Sequence, residues 1–368
     1  MFKKIIGQDR VTGILKRAVE LEKTANSYLF SGPEGTGKFT SALYFGMAVN
    51  CSAVHEKRPC GICPSCKKFL GFSHPDFIFL FPTPNWEIST TGNLKSEKFL
   101  KEYEEYINNK INTPWKEFLF SGNVEIRINS IRMLEHRINL SPNEANYKIC
   151  IIENADMMNN NTSNAFLKTL EEPPEDTIII LTSSNPNALL PTILSRCQKI
   201  PFQPIHKKYI EKELEEKLFI ENYAAKMFAR IANGSMEKAL RLADEGNIKE
   251  REKVIEFVTI LLEQDDLKFM VFANHYRTNK TKTELGEIIS HLKLWITDIS
   301  YLQNSPEDLV NLDKTEIIET LYNMNPNIED YILVTLEFLD EMMFKLKRNV
   351  NPSLIFIEIY NRLKKIFF

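Results

Sequence analysis

The chain has 368 residues, 43% hydrophobic and 26% charged, with 46 Lys and Arg against 49 Asp and Glu for a formal net charge of −3. That is ordinary globular composition at a length of two or three domains, and the balance excludes a globally basic nucleic-acid coat and an acidic solvating tail. No apolar run reaches the ~18–20 residues that span a bilayer, the N-terminal MFKKIIGQDR has no signal-peptide pattern, and six cysteines are too few for a secreted disulfide scaffold. The expectation is a cytoplasmic multidomain protein. Residues 1–70 hold eleven Lys and Arg against five Asp and Glu. Such local basicity suits phosphate or nucleic-acid contact, and equally a solvated lysine-rich face.

Taken in chain order, helical patterns at Val11–Lys23, Thr40–Asn50, Ile131–Leu140 and Ser163–Glu171 alternate with short apolar runs. Those runs, Tyr28–Phe30, Phe77–Phe81, Lys148–Ile152 and Ile178–Thr182, are rich in β-branched and aromatic residues and bounded by turn residues. Strands alternating with helices predict right-handed crossovers and a mostly parallel sheet. The stretch 83–122 is polar, charged and rich in Asn, with a helical pattern at Ser96–Lys110, and reads as an insertion and a variable surface excursion. After Pro201-Phe202-Gln203-Pro204 only helical periodicities follow. The expected domains are 1–205, a small helical domain at 206–244, broken at Asn233-Gly234-Ser235, and an all-α domain at 245–368. In the last, Leu292, Trp295, Ile296 and Ile299 form an apolar stripe that suits a private core or a surface for association.

The first strand runs into Ser31-Gly32-Pro33-Glu34-Gly35-Thr36-Gly37-Lys38 and then a helix, the context of a phosphate-binding loop. Its glycines let backbone N–H groups turn toward phosphate oxygens, the helix N-terminus adds a positive dipole end, and Lys38 reaches phosphate as a point charge. The predicted phosphate-holding set is Gly32, Gly35, Gly37, Lys38 and Thr40. The residue after the lysine is normally Ser or Thr, whose hydroxyl ligates Mg²⁺, but here it is Phe39. Thr40 is one position later, rotated by about 100° on the helix. The acidic element at the end of a buried strand is Glu153 followed by Asn154, and a neutral amide is no general base. Asp156 reads as a helix N-cap. These residues predict that ATP or ADP binding is open, that the Mg²⁺ site is lost, and that hydrolysis is absent.

Cys51, Cys60, Cys63 and Cys66 follow at C-x8-C-x2-C-x2-C spacing, with Pro59, Gly61 and Pro64 favouring tight turns. Four thiolates so spaced suit a structural tetrahedral Zn²⁺ site, with an iron–sulfur cluster as the alternative. Cys150 and Cys197 read as ordinary reduced residues.

These residues resemble the bacterial DNA polymerase III clamp-loader subunits, which belong to the AAA+ class. The resemblance rests on Gly7-Gln8, the phosphate loop, the four cysteines and Ser73-His74-Pro75-Asp76. It continues through Asn164-Ala165-Phe166-Leu167-Lys168-Thr169-Leu170-Glu171-Glu172-Pro173-Pro174 and Leu194-Ser195-Arg196-Cys197-Gln198. Gly234-Ser235-Met236, Ala239-Leu240 and Arg348-Asn349-Val350-Asn351-Pro352 extend it toward the C-terminus. It implies an α/β AAA+ P-loop domain with a parallel sheet and a zinc module at 51–66. A helical lid domain and an all-α oligomerisation collar would follow.

The family holds an ATPase motor, gamma/tau, and an ATPase-deficient type, delta-prime. Phe39, Asn154 and Glu237, the last where the motor's sensor-2 Arg would contact nucleotide, resemble the second type. Ser183 and Ser184 occupy the sensor-1 region and remain polar. The resemblance makes Arg196 an arginine finger acting in trans on ATP bound by a neighbouring subunit. It implies gamma/tau and delta as partners, with the sliding clamp and primer-template DNA reached through the complex, close to the nucleoid. Two competing readings are an active gamma/tau-type ATPase and a stand-alone zinc-containing DNA-binding protein.

Overall fold

The computed structural model describes residues 2, 4–86, 96–113, 118, 120, 122–220, 222–244, 248–277, 281–348 and 350–368. Asn349 of the C-terminal motif lies outside them, as do residues 87–95, 114–117, 119 and 121 of the 83–122 insertion. Two compact units are formed, one from residues 1–213 with 232–241, the other from 214–231 with 242–368.

The first unit is built on five parallel strands in the order β2-β3-β4-β1-β5. These are β1 (Ser27–Ser31), β2 (Phe77–Leu80), β3 (Lys148–Ile152), β4 (Thr177–Ser183) and β5 (Gln198–Pro201). Its helices are α1 (Asp9–Glu20), α2 (Lys38–Val49), α3 (Pro64–Leu70), α4 (Glu97–Asn112), α5 (Ile128–Ile138), α6 (Asn160–Glu171) and α7 (Pro191–Arg196).

Period-two alternation along the central strands sends side chains to both faces of the sheet. Tyr28, Phe30, Ile149, Ile151, Ile178 and Ile180 pack with residues of α1 and α2. Leu29, Cys150, Ile152, Ile179 and Leu181 pack with residues of α5 and α6. Strands buried on both faces are why the sequence shows continuous apolar runs there. The four expected strands are present to within a few residues. β5 has no counterpart among the expected strands. It is an edge strand beside β1 in which only Ile200 is buried, so it carries almost no hydrophobic signal.

Helices α8 (Lys207–Leu218), α9 (Asn222–Ile231) and α10 (Met236–Ala243) follow. Beyond them lie α11 (Ile248–Glu263), α12 (Asp266–Ala273), α13 (Lys282–Asn304), α14 (Thr315–Met324), α15 (Ile328–Lys347) and α16 (Pro352–Phe367). Leu292, Trp295, Ile296 and Ile299 of α13 all lie in the second unit's own core, with Phe257 and Phe356. Asp298, on the same helix, is fully buried and accepts from the backbone N–H of Val310 and Asn311 at 2.7 and 2.8 Å. Among the described residues no helix is long and apolar enough to cross a membrane.

Candidate functional site

The carboxyl ends of parallel strands are where an open α/β sheet binds ligands, because the loops that follow the strands converge there. β1 feeds the glycine-rich loop, and β3, two strands away across β4, delivers Glu153 and Asn154 to the same edge. A cavity of about 500 Å³ opens there, with Gly37, Lys38, Lys110, Glu153, Asn154 and Glu237 in its wall. Gly35 and Thr40 also line it.

The loop has the shape its sequence requires. Gly37 adopts φ +86° immediately before α2, so the helix begins at Lys38 with its first N–H groups at the cavity. Gln8 fixes the back of the loop. Its side-chain amide donates to the carbonyls of Gln203 at 2.6 Å and Thr36 at 3.3 Å, and its carbonyl accepts from Gln203 N–H. Lys38 is 8% exposed and donates to the loop carbonyls of Gly32 and Pro33 at 2.7 and 2.6 Å. Burial lowers its pKa, with Glu34, Glu237, Asp156 and Glu153 pulling it back up.

The two positions that would orient a metal are engaged otherwise. The Phe39 ring lies 5.0 Å from that of Phe79 and 6.0 Å from that of Phe72. The ammonium of Lys110, from α4, sits 4.4 Å over the Phe39 ring and 2.5 Å from Glu153 Oε1. Tyr106, one turn earlier on α4, donates its hydroxyl to Glu153 Oε2 at 3.0 Å. Burial and the neighbouring Glu153 anion push the Tyr106 phenol up, so it stays a donor. The residues present do not fit Mg²⁺. One expected ligand is a phenyl ring and the other carboxylate is neutralised by an ammonium.

Helix α4, within the 83–122 segment read as an insertion, has no fully buried residue, yet it reaches the cavity. The Tyr106 ring packs at a tilt against those of Phe81 and Phe120, with centroids 4.3 and 5.0 Å away, and Trp86 donates to Glu102 at 3.2 Å. This aromatic seam holds α4 against the cavity. Tyr106 and Lys110 are the site residues that sequence reasoning missed. Their i, i+4 spacing puts them on one helix face, but their partner lies 43 residues beyond Lys110.

Asn154 stands at φ +51°, a left-handed conformation that Asn tolerates better than most residues, and its N–H donates to Thr182 Oγ1. Asp156 is not the cap of α6 and lies in a one-turn 3₁₀ helix, Ala155–Met157. The cap is Asn159, whose side chain accepts from Thr162 N–H at 2.9 Å. Glu237 projects from the first turn of α10 at the cavity wall and stays exposed. The protein crowded around its carboxyl raises its pKa, Lys110 opposes this and Glu34 reinforces it. Ser183 is buried and its hydroxyl accepts from Asn185 N–H. Ser73-His74-Pro75-Asp76 is a structural clamp, in which Asp76 accepts from the N–H groups of Asn143, Glu144 and Ala145 at 2.7–2.9 Å.

Arg196 does not line the cavity. It ends α7, where its guanidinium donates to Thr192 O at 2.9 Å and to Glu171 Oε1 at 2.6 Å.

The four cysteines come together beside α3, with their sulfurs within 4.8 Å of one another and Cys51 and Cys63 at 4.0 Å. A tetrahedron with metal–sulfur bonds of about 2.3 Å has sulfurs about 3.8 Å apart, so small adjustments suffice for zinc. The backbone N–H groups of Cys60, Cys63 and Cys66 point at the sulfurs of Cys51, Cys60 and Cys63. Burial raises the Cys63 thiol, but the N–H groups of Cys66 and Ser52 and the Cys66 and Cys60 thiols outweigh it and bring its pKa to about 6. Cys60 is lowered as well, while burial raises Cys51 and Cys66. This donor set fits a metal such as Zn²⁺ held by Cys51, Cys60, Cys63 and Cys66, with four sulfurs and no open position.

Comparison with known proteins agrees with this geometry. The family described as "DNA polymerase III, delta subunit" matches residues 7–206. DNA polymerase III subunit tau of Bacillus subtilis is 31% identical over 249 residues, 66% of this chain, but the match spans only 37% of that protein. DNA polymerase III subunit delta' of the same organism is 27% identical over 336 residues, covering 90% of this chain and 89% of the relative. A gamma subunit-related protein of Thermotoga maritima shares the fold with a TM-score of 0.50 at 17% identity, covering 98% of this chain and all of the other. With the parallel sheet, the glycine-rich loop on β1 and the helical C-terminal region, these matches show that the chain belongs to the bacterial DNA polymerase III clamp-loader subunits of the AAA+ class.

Proposed function

We propose that this chain is a non-hydrolysing subunit of delta-prime type. In this reading it assembles with gamma/tau and delta subunits, helps place the sliding clamp on primer-template DNA, and presents Arg196 to ATP held by a neighbour. The observation that carries it is the state of the two metal-orienting positions: Phe39 is packed among rings and Glu153 is ion-paired with Lys110. Phosphoryl transfer rests on positioning and on charge neutralisation by metal, and this cavity offers little of either. Match along nearly the whole of a delta' relative supports the same reading. Arg196, partly exposed at the end of α7, is available for contact in trans.

In this reading the cytoplasmic chain is divided at 1–205, 206–244 and 245–368, with the last segment contributing to the oligomer. Zinc held by the four cysteines stiffens the loop after α2 and takes no part in chemistry. The test is ATP hydrolysis by the purified chain with primed DNA and clamp, beside the complex reconstituted with gamma/tau and delta. The expected result is no turnover by the chain alone and full turnover by the complex, reduced by Arg196→Ala. Turnover by the chain alone would make it an active gamma/tau-type ATPase instead.

A further inference from the structure

The insertion at 83–122 serves no step of the reading above, yet its helix α4 delivers two side chains to the phosphate-loop cavity. The Lys110 ammonium touches both residues that replace the metal-orienting pair. It lies over the face of Phe39, which follows the loop lysine, and against the carboxylate of Glu153, which ends β3. Both members of the ion pair are largely withdrawn from solvent, at 14% and 12% side-chain exposure, and the second carboxylate oxygen is taken by Tyr106. An ion pair that merely fastened α4 would be free to form anywhere along the helix. This one forms where a divalent cation would be ligated, and an ammonium over a ring face gains further from the ring's quadrupole.

We propose that helix α4 is a fixed plug of the metal position, Lys110 standing on Glu153 and Phe39 as a covalently tethered cation that excludes Mg²⁺ from the cavity. The loss of magnesium is then double. Phe39 removes a ligand, and Lys110 fills the place and neutralises the remaining carboxylate. Restoring the hydroxyl alone is not enough to restore the metal. This rests on reading the cavity as a nucleotide site that lost its metal, but not on the assembly or on Arg196.

The test is equilibrium binding of a fluorescent ATP analogue to the full chain, with Mg²⁺ and with EDTA. Three proteins are compared: wild type, Phe39→Thr, and Phe39→Thr with Lys110→Met. Zinc content and thermal melting confirm that each is folded, and Lys110→Gln, which keeps a polar stem, replaces Lys110→Met if the double variant is not. Wild type and Phe39→Thr are expected to bind equally with and without Mg²⁺. The double variant is expected to bind at least about tenfold more tightly with Mg²⁺, since a hydroxyl and a freed carboxylate are again available to it. The plug is overturned if Phe39→Thr alone responds to Mg²⁺, or if a folded double variant binds no better with Mg²⁺ than with EDTA. Either failure leaves the non-hydrolysing reading standing, because that reading falls only when the native chain turns over ATP.

Discussion

The guanidinium of Arg196 lies 2.6 Å from the carboxylate of Glu171, joining the C-terminal end of α7 to the C-terminal end of α6. Two sequence motifs 25 residues apart therefore meet in one ion pair. Both side chains keep solvent contact, at 33% and 49% exposure, so the pair contributes about 0–1 kcal/mol to stability. In the proposed reading, a pair this weak lets Arg196 leave Glu171 for a neighbour's phosphate.

Arg196→Ala is accordingly expected to leave thermal melting nearly unchanged while lowering DNA-stimulated ATP hydrolysis at one site of the reconstituted complex by roughly 10³-fold. Arg196→Lys keeps the charge but loses the planar fork, and should recover only part of the rate. Turnover by the complex and melting of the isolated subunit are the two measurements. An unchanged rate would remove Arg196 from the mechanism.

Zinc is expected at about one ion per chain, lost on treatment with a strong chelator and on Cys60→Ser or Cys63→Ser. The six thiols should divide sharply in a native thiol titration. Chelation should expose Cys51, Cys60, Cys63 and Cys66, while Cys150 and Cys197 stay unreactive until the chain unfolds. Both are buried, and burial pushes the Cys197 thiol up to about 11 and that of Cys150 higher still. Metal analysis with thiol counting checks both statements.

The cysteine cluster was legible because its chemistry is local: four ligands within sixteen residues need only turns to bring them together. The strand–glycine loop–helix shape at β1 and α2 was legible for the same reason, since strand, glycines, lysine and helix are contiguous. The central strands showed themselves through burial on both faces. β5, with one buried side chain, gave no such signal. The contacts of the 83–122 segment were not legible because its polar and Asn-rich composition outweighed Trp86, Tyr106, Phe118 and Phe120, whose partners are set by the tertiary fold. Tyr106 and Lys110 find Glu153 only through the tertiary fold. Asp156 was misread because an acidic residue before a helix resembles a cap, whereas the chain first makes a 3₁₀ turn and Asn159 takes that role.

Asp76 gives stability a pH dependence. Burial raises its pKa, but the three backbone N–H groups and the Asn143 side chain outweigh this and hold the carboxyl below its ordinary value. A carboxyl depressed in the folded state contributes its full stabilisation above the unfolded pKa of about 4, and loses it as pH falls through the folded value. Asp76→Asn keeps the shape but turns an amide donor toward N–H donors, and should cost about 3 kcal/mol near pH 7. Its disadvantage should shrink as the solution is acidified below about pH 4, where wild type loses the same contribution. Urea unfolding of both proteins across that range checks the sign.

Gly35 combines a left-handed backbone, φ +70°, with close approach to the start of α10. A Cβ there would lie 1.9 Å from Ser235 Oγ and 2.9 Å from the Glu237 Cβ. Gly35→Ala therefore carries two separable costs. The left-handed conformation costs roughly 1–2 kcal/mol for a residue with a Cβ, and the overlap forces α10 or the loop to move at a similar further cost. Ser235→Gly removes the overlapping hydroxyl and its carbon. That hydroxyl accepts from Lys238 N–H at 3.2 Å as a cap of α10, and replacing a capping serine by glycine costs only a few tenths of a kcal/mol. The double variant Gly35→Ala, Ser235→Gly is thus expected to be more stable than Gly35→Ala alone by about 1 kcal/mol, without regaining wild-type stability. Denaturant unfolding of the four proteins in this cycle separates the terms. If the second substitution gives no recovery, the contact between loop and helix contributes nothing and the backbone conformation alone accounts for the glycine.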